Sequence, residues 1–158
     1  MSDERGLLRH ALATLAYRAS KATRGAPPSF AALRVGDSTR TPVQVIAHMG
    51  DLMDWALSMA RGAQAWHDSE PLAWDAEVAR LFAATSALDE VLASPAPLGA
   101  NAEKIFQGPI ADALTHVGQL TMLRRLGASP VKGENYAVAA IAAGQAGATQ
   151  PAPRKEFD

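Results

Sequence analysis

The chain has 158 residues, no cysteine and a formal net charge of −1 at pH 7. Its length suits a single domain, and the absence of cysteine excludes disulfides, thiolate metal ligands and a cysteine nucleophile. The balanced charge, without a basic block, argues against nucleic acid as a partner, and no apolar run approaches the roughly 20 residues of a membrane span. The N-terminus MSDERGLLRH lacks the basic-then-apolar pattern of a signal peptide, so we expect a cytoplasmic protein.

Capping residues and apolar spacing predict four long helices, two of them in the first 62 residues. The first helix follows a Ser-Asp cap at residues 2–3 and ends near the Gly-Ala-Pro-Pro run at 25–28. The second begins after Thr41, a good N-cap, and has Pro42 at its first position, where the missing N–H costs nothing. Gly62 suits its end. Abundant alanine and only two tyrosines favour helices over strands throughout.

The other two predicted helices lie between residues 71 and 127. The third spans about Pro71–Ala93 and repeats apolar residues at helical spacing: Leu72, Val78, Leu81, Phe82, Leu88 and Leu92. The fourth has Pro109 near its start, runs through Leu126 and stops at Gly127. Four helices of about 18 to 24 residues suit an antiparallel bundle.

The helical pattern fades after the fourth helix. Residues 131–144 are compatible with either a short helix or an extended arm, and the chain from about residue 145 has the composition of a surface tail. No internal repeat or low-complexity linker calls for a second domain. We therefore expect residues 1–158 to form one all-α domain, a four-helix bundle with a C-terminal tail.

Two polar residues stand side by side on the apolar fourth helix. Asp112 and His116 are four residues apart, so their side chains leave the helix in the same direction from adjacent turns. Gln119 lies one turn further along, and His48 sits at the edge of the apolar face of the second helix. A bundle can bring the three titratable groups together as ligands of a divalent ion. Alternatively, the Asp-His pair is structural and His48 is an ordinary core-edge histidine.

Two segments resemble the DinB/YfiT-like superfamily of metal-dependent four-helix bundles. TPVQVIAHMGDLMDW is similar to the second helix of that family, with its single metal histidine at His48. DALTHVGQLTMLRRL is similar to the helix that carries His-x-x-x-His and a following Gly-Gln element, here Gly118 and Gln119. GENYAVAAI resembles the segment that follows the last helix in some members. The chain departs from the family at one position, because Asp112 replaces the first histidine of the pair.

The resemblance implies a divalent metal ion, Zn, Ni, Fe or Mn, held by His48, Asp112 and His116. Two histidines and a carboxylate favour harder ions somewhat more than three imidazoles would. Such a site with open positions implies a metal-dependent hydrolase, or a transferase that activates a low-molecular-weight thiol against a small-molecule substrate. The alternative is a non-catalytic, dimeric bundle that binds metal or a small ligand.

Four other polar residues have mainly structural interpretations. His10 is expected to be solvated, and His67, beside two acids in a loop, offers at most a weak surface metal site. Asp51 either supports the site around His48 or faces water. Arg124 is expected to interact favourably with the negative end of the helix dipole at the helix C-terminus. Binding of a substrate anion is the lesser alternative.

Large apolar side chains suggest both a core and a contact surface. The tryptophans are expected in the core or in a pocket wall: Trp55, Trp66 and Trp74. The helical methionines are candidates for an adaptable contact surface: Met49, Met53, Met59 and Met122. Met122 and Leu126 lie away from the main apolar stripe of the fourth helix, and this predicts a homodimer.

Overall fold

The computed structural model describes residues 3–157, and most of them lie in four long helices. The cap predicted at Ser2 lies outside this range. In chain order the elements are α1 (Asp3–Thr23), α2 (Pro42–Ala60), α3 (Trp74–Ala93), α4 (Ala102–Ile105), a π-helical turn (Phe106–Ile110), α5 (Ala111–Leu126), β1 (Gly133–Glu134), a 3-10 turn (Tyr136–Val138) and β2 (Glu156–Phe157). The helix α4, the π-helical turn and α5 run on without a break as the fourth long helix. The predicted all-α class is confirmed.

The four long helices surround one apolar core. Helices α1 and α2 each pack against both α3 and α5, so α1 lies diagonally opposite α2, and α3 diagonally opposite α5. The largest apolar side chains with less than 2 % exposure come from every long helix: Leu12, Leu15, Ile46, Met49, Met53, Leu81, Leu88, Leu92, Ile105, Ile110 and Leu120. Burying one such side chain stabilises the fold by roughly 1.5–3 kcal/mol. Among the described residues no helix combines the length and the apolar character needed to cross a membrane.

Helix α2 begins where its sequence predicts. The backbone N–H of Thr41 donates to Oε1 of Gln44 at 2.9 Å, the reciprocal bond of a capping box, and Pro42 occupies the first helical position. The backbone N–H of Gly62, with φ of 75°, donates to the carbonyl of Met59 just beyond the last turn. His48 lies between these two ends, in the second turn of α2.

Helix α3 starts three residues later than predicted. Its first residue is Trp74 rather than Pro71, and Leu72, predicted on its apolar face, is 55 % exposed in the preceding loop. The fully buried Glu77 accounts for the shift, because its Oε1 accepts the backbone N–H of Leu72 at 2.8 Å. That bond satisfies a donor ahead of the helix and holds the loop against the first turn.

The fourth helix starts about two turns earlier than predicted. Pro109 was expected near its start, since a proline is readily accommodated in a first turn. Instead the helix begins at Ala102, and Pro109 is buried inside the π-helical turn. In a π turn the hydrogen bonds span five residues instead of four. The wider turn accommodates the ring of Pro109 and its missing donor without ending the helix.

The C-terminal segment returns to the helices and is anchored on α1. Strands β1 and β2 pair antiparallel, and residues 131–144 form β1, the 3-10 turn and irregular chain. Glu134, in β1, accepts from the hydroxyl of Tyr17 at 2.6 Å and from Nζ of Lys21 at 2.8 Å. Lys21 also donates to Glu156 of β2 at 2.8 Å. Burial, with the bond to Glu134, raises the pKa of Tyr17 to about 12. The segment expected to be a surface tail is thus held at its end by charged hydrogen bonds.

Candidate metal centre

The three predicted ligands lie together between α2 and α5. Nε2 of His48 is 3.5 Å from Oδ2 of Asp112, and Nε2 of His116 is 3.4 Å from Oδ1 of Asp112. One ligand atom from each residue lies within 4.8 Å of the other two. These spacings exceed those of good hydrogen bonds. The two distances run to different oxygens of Asp112, and small side-chain adjustments would bring all three groups to the separation of about 3.4 Å expected between ligands of one tetrahedral ion.

The π-helical turn determines which face of α5 meets α2. Relative to an α-helix, the turn inserts one residue and so rotates everything after it by about 100°. Asp112 follows two residues later and His116 six residues later, and both face His48 across the helix contact. Without the inserted residue, the two side chains would leave α5 in another direction. Sequence periodicity does not reveal this turn, although π turns frequently occur at functional sites.

The contact of His116 with Gln119 favours the tautomer that a metal ligand needs. Its side chain is 8 % exposed, and its Nδ1 lies 2.8 Å from Oε1 of Gln119. An amide oxygen only accepts hydrogen bonds, so the tautomer that satisfies this contact has its proton on Nδ1 and donates it to Gln119. Nε2, which faces Asp112, is then left with its lone pair. Gln119 is therefore placed like the residues that accept the second ring N–H of a metal-binding histidine and orient its ring.

Replacing Gln119 with leucine should weaken zinc binding about 10–100-fold, because His116 would lose the bond that fixes its tautomer and ring orientation. Competition against a chromophoric zinc chelator measures the change. Gln64→Leu is the control, since Gln64 is an exposed glutamine in the loop after α2 and lies outside the π-helical turn. Equal affinities for the two variants would contradict the role given to Gln119.

His48 lies in a mainly aromatic environment. Its ring is 4.8 Å from that of His116 and 5.7 Å from that of Trp66, edge to face in both cases, and Trp66 packs in turn on Trp55. Burial lowers the pKa of His48, as do the charge of Arg40 and the proximity of His116, and Asp112 offsets this only in part. The neutral imidazole is the form that binds metals. The environment of His48 therefore favours the ligand form at neutral pH.

Two cavities open beside the three residues. A larger one, of about 680 Å³, borders His116 and Gln119, and a smaller one, of about 250 Å³, borders His48 and Asp51. Arg40 lines both. The side chain of Asp112 is 46 % exposed between the two histidines. Each cavity borders one of the two candidate histidines, so a molecule in either cavity would lie beside the candidate metal centre.

A second cluster of titratable groups, formed by Asp51, Asp54 and His67, is built around an arginine. Nε2 of His67 lies 3.3 Å from Asp51 and 3.6 Å from Asp54. Nη1 of Arg80 lies 2.9 Å and 3.1 Å from the same two acids. A guanidinium already supplies the positive charge that a metal would bring. We therefore interpret this cluster as a structural ion-pair network.

Asp51 neither faces water nor contacts the candidate ligands. It is 3 % exposed, and its carboxylate accepts from the backbone N–H and the hydroxyl of Ser69 at 2.8 and 2.7 Å. Burial is the largest influence on the pKa of Asp51 and raises it, but the bonds from Ser69 and Arg80 outweigh burial and lower the pKa below its usual value. The folded state therefore favours the ionised carboxylate.

The stability that ionised Asp51 contributes should be complete above about pH 4, the ordinary aspartate pKa, and should be lost as the pH falls through the lowered folded-state pKa. Urea unfolding of the wild type and of Asp51→Asn at several pH values tests this. The difference in unfolding free energy between them should shrink below about pH 4. Asp37→Asn, which changes an exposed loop acid without an ion pair among residues 3–157, is the control. A difference that stays constant or widens would contradict the expectation.

The remaining candidates have structural positions. His10 is exposed, as expected. Arg124 is only 5 % exposed and donates to the backbone carbonyls of Ala22, Arg24 and Ser129, so it joins the ends of α1 and α5. Substrate-anion binding by Arg124 is thus excluded, because its donors are occupied inside the protein.

The methionine surface was predicted wrongly for three of its four members. Met49, Met53 and Met59 are at most 5 % exposed and belong to the core, whereas Met122 is 58 % exposed. The apolar stripe of α2 faces inward along its whole length, so its methionines fill the space between helices. The tryptophans are less uniform: Trp74 packs on Phe30 beside the core, Trp55 is half-buried and Trp66 is 45 % exposed.

No family model, curated protein or solved structure matches this chain.

Proposed function

We propose that the chain is a DinB/YfiT-like four-helix bundle in which His48, Asp112 and His116 hold one divalent ion. The observation that carries this proposal is the convergence of three ligand-type groups from two helices at spacings that suit a metal. The contact of His116 with Gln119 is compatible with it, because metal-ligating histidines almost always donate their other ring N–H to such a partner.

The donor set fits a catalytic ion better than a structural one. Three protein ligands leave coordination positions for other groups, whereas structural sites are usually closed by four. When bound, the ion would supply Lewis acidity and would lower the pKa of a water or thiol at the site. Gln119 orients His116, and Arg40 places a positive charge beside the site. The chain has no cysteine, so a thiol nucleophile would have to come from a separate small molecule.

The two cavities favour group transfer over simple hydrolysis. One borders His116 and the other borders His48, so there is room for two different molecules, one beside each histidine of the candidate centre. A hydrolase needs room for one substrate and a water, whereas a transferase needs room for two substrates. We therefore propose a metal-dependent transferase that uses a low-molecular-weight thiol, with a metal-dependent hydrolase as the second possibility within this class.

A non-catalytic dimeric bundle is the alternative function, favoured by the exposed apolar residues of α5. Met122 and Leu126 are 58 % and 56 % exposed in the single chain. A second copy would bury them, and the homodimer predicted from the sequence rests on these two residues. Sedimentation velocity at high concentration should then show a dimer, and a monomer at every concentration would contradict it.

Metal analysis of protein purified without an affinity tag tests the proposal, since a nickel column would load the site artificially. About one ion per chain is expected, and a wild-type content as low as that of His116→Ala would contradict it. The same preparation is assayed for transfer of glutathione to an electrophilic chromogenic aryl halide, with and without a chelator. Chelator-sensitive transfer supports the enzyme, and metal binding without transfer or hydrolysis supports the non-catalytic bundle.

A further inference from the structure

The larger cavity beside His116 is lined by both apolar and polar side chains. Val35, Met122 and Leu126 line one part of it, and all three are large apolar side chains with 39–58 % exposure. His116 and Gln119, which belong to the candidate metal centre, line another part. The volume of about 680 Å³ lies within the range of small-molecule sites, about 300–1,000 Å³. A molecule that fills the cavity would bury hydrocarbon while one end approaches the metal centre.

Arg40 supplies the cavity with a cation that has no protein partner. Within residues 3–157 its side chain forms neither a salt bridge nor a hydrogen bond, unlike the ion-paired Arg9 and Arg80. Arg40 is close enough to His48 for its positive charge to lower the pKa of that imidazole. The smaller cavity, which Arg40 also lines, contains the acids Asp68 and Glu70, which disfavour an anion there. An anion attracted by Arg40 is therefore accommodated best in the larger cavity.

We propose that the larger cavity binds a small amphiphilic carboxylate, with its carboxylate on Arg40 and its alkyl or aryl part against Met122 and Leu126. This proposal rests on the proposed function and names the substrate class of that site. A guanidinium matches a carboxylate with two parallel hydrogen bonds. The apolar part of the lining selects for a hydrocarbon tail rather than for a small inorganic anion.

A series of straight-chain carboxylates, from butanoate to octanoate, tests the proposal on the zinc-loaded full chain by isothermal titration calorimetry. Affinity should rise about fourfold for each added methylene, as the burial of one methylene predicts. Octanamide, which keeps the tail and removes the charge, should bind about tenfold more weakly than octanoate or worse. Equal affinity for octanoate and octanamide, or no dependence on chain length, would overturn the proposal.

The variants Arg40→Gln and Arg34→Gln separate the role of Arg40 from general charge effects, since Arg34 is an exposed arginine of the same loop that does not line the cavity. Octanoate affinity should fall about tenfold or more in Arg40→Gln and should not change in Arg34→Gln. Binding that survives Arg40→Gln but disappears with a chelator would place the carboxylate on the metal and overturn the proposal. A dimer that covers Met122 and excludes octanoate would overturn it as well.

The metal content of the same samples distinguishes failure of this proposal from failure of the proposed function. Zinc content should be equal in the wild type and in Arg40→Gln, because Arg40 is not among the candidate ligands. A chain that binds zinc but not octanoate retains the proposed function and loses this proposal. A chain that binds octanoate through Arg40 but holds no zinc retains the carboxylate site and loses the proposed function.

Discussion

Replacing His116 with alanine should reduce zinc affinity by more than about 100-fold. Loss of a residue that only hydrogen-bonds to a metal ligand costs at most about that much. His116 is the most buried of the three candidate ligands, and its tautomer is fixed by Gln119. Its removal would leave His48 and the half-exposed Asp112, and two ligands are fewer than divalent-metal sites in proteins ordinarily use. Competition with a chromophoric chelator measures the loss.

Two comparisons make the His116 experiment specific. His10→Ala and His67→Ala should leave zinc affinity unchanged, because neither ring lies among the three ligand atoms. Asp112→His should retain binding and shift the metal preference away from harder ions, because it replaces a carboxylate oxygen with an imidazole nitrogen. Unchanged zinc affinity in His116→Ala, or an equal loss in His67→Ala, would contradict the proposed ligand set.

Replacing Arg80 with methionine should lower the free energy of unfolding by about 3 kcal/mol or more, the cost of breaking a buried ion pair from one side. Arg80 reaches from α3 to α2 and contacts Asp51, Asp54 and Glu77 at 2.8–3.1 Å. Glu77 is fully buried and Asp51 nearly so, whereas the Arg80 side chain is 22 % exposed. Methionine would fill much of the space but would leave those carboxylates without their cation.

Urea unfolding with Arg61→Met as control tests the role of Arg80. Arg61 is exposed and forms no ion pair among the described residues, so its replacement should change the unfolding free energy by less than about 0.5 kcal/mol. Gly50→Ala should also destabilise the protein, because a Cβ at Gly50 would lie only 2.7 Å from Cζ of Arg80. Similar unfolding free energies for Arg80→Met and Arg61→Met would show that the network contributes little.

Local sequence signals predicted the elements that depend on local chemistry. Thr41 and Pro42 marked the start of α2 because capping is decided within four residues. The spacing of Asp112 and His116 placed both side chains on one face of a helix for the same reason. Proximity to His48 was predicted only as something that a bundle allows, since the distance depends on how α2 and α5 pack.

The features that the sequence did not reveal depend on contacts between distant segments. Pro109 signalled a helix start, and only the packed structure shows the π turn that keeps it inside the helix. The side chain of Glu77 accepts the backbone N–H of Leu72, which lies ahead of the first turn of α3. The guanidinium of Arg124 donates its hydrogen bonds to backbone carbonyls about 100 residues away. A binding role for Arg40 was not predicted, because the sequence does not show that this loop arginine lines a cavity.

Anomalous diffraction from crystals of the tag-free protein grown with zinc tests the central claim most directly. A peak that is present above the zinc absorption edge and absent below it identifies the bound element as zinc. A single strong peak within about 2.0–2.2 Å of nitrogen atoms of His48 and His116 and an oxygen of Asp112 is the predicted result. A peak elsewhere, such as at Asp51, Asp54 and His67, or no peak between α2 and α5, would contradict the proposed metal centre.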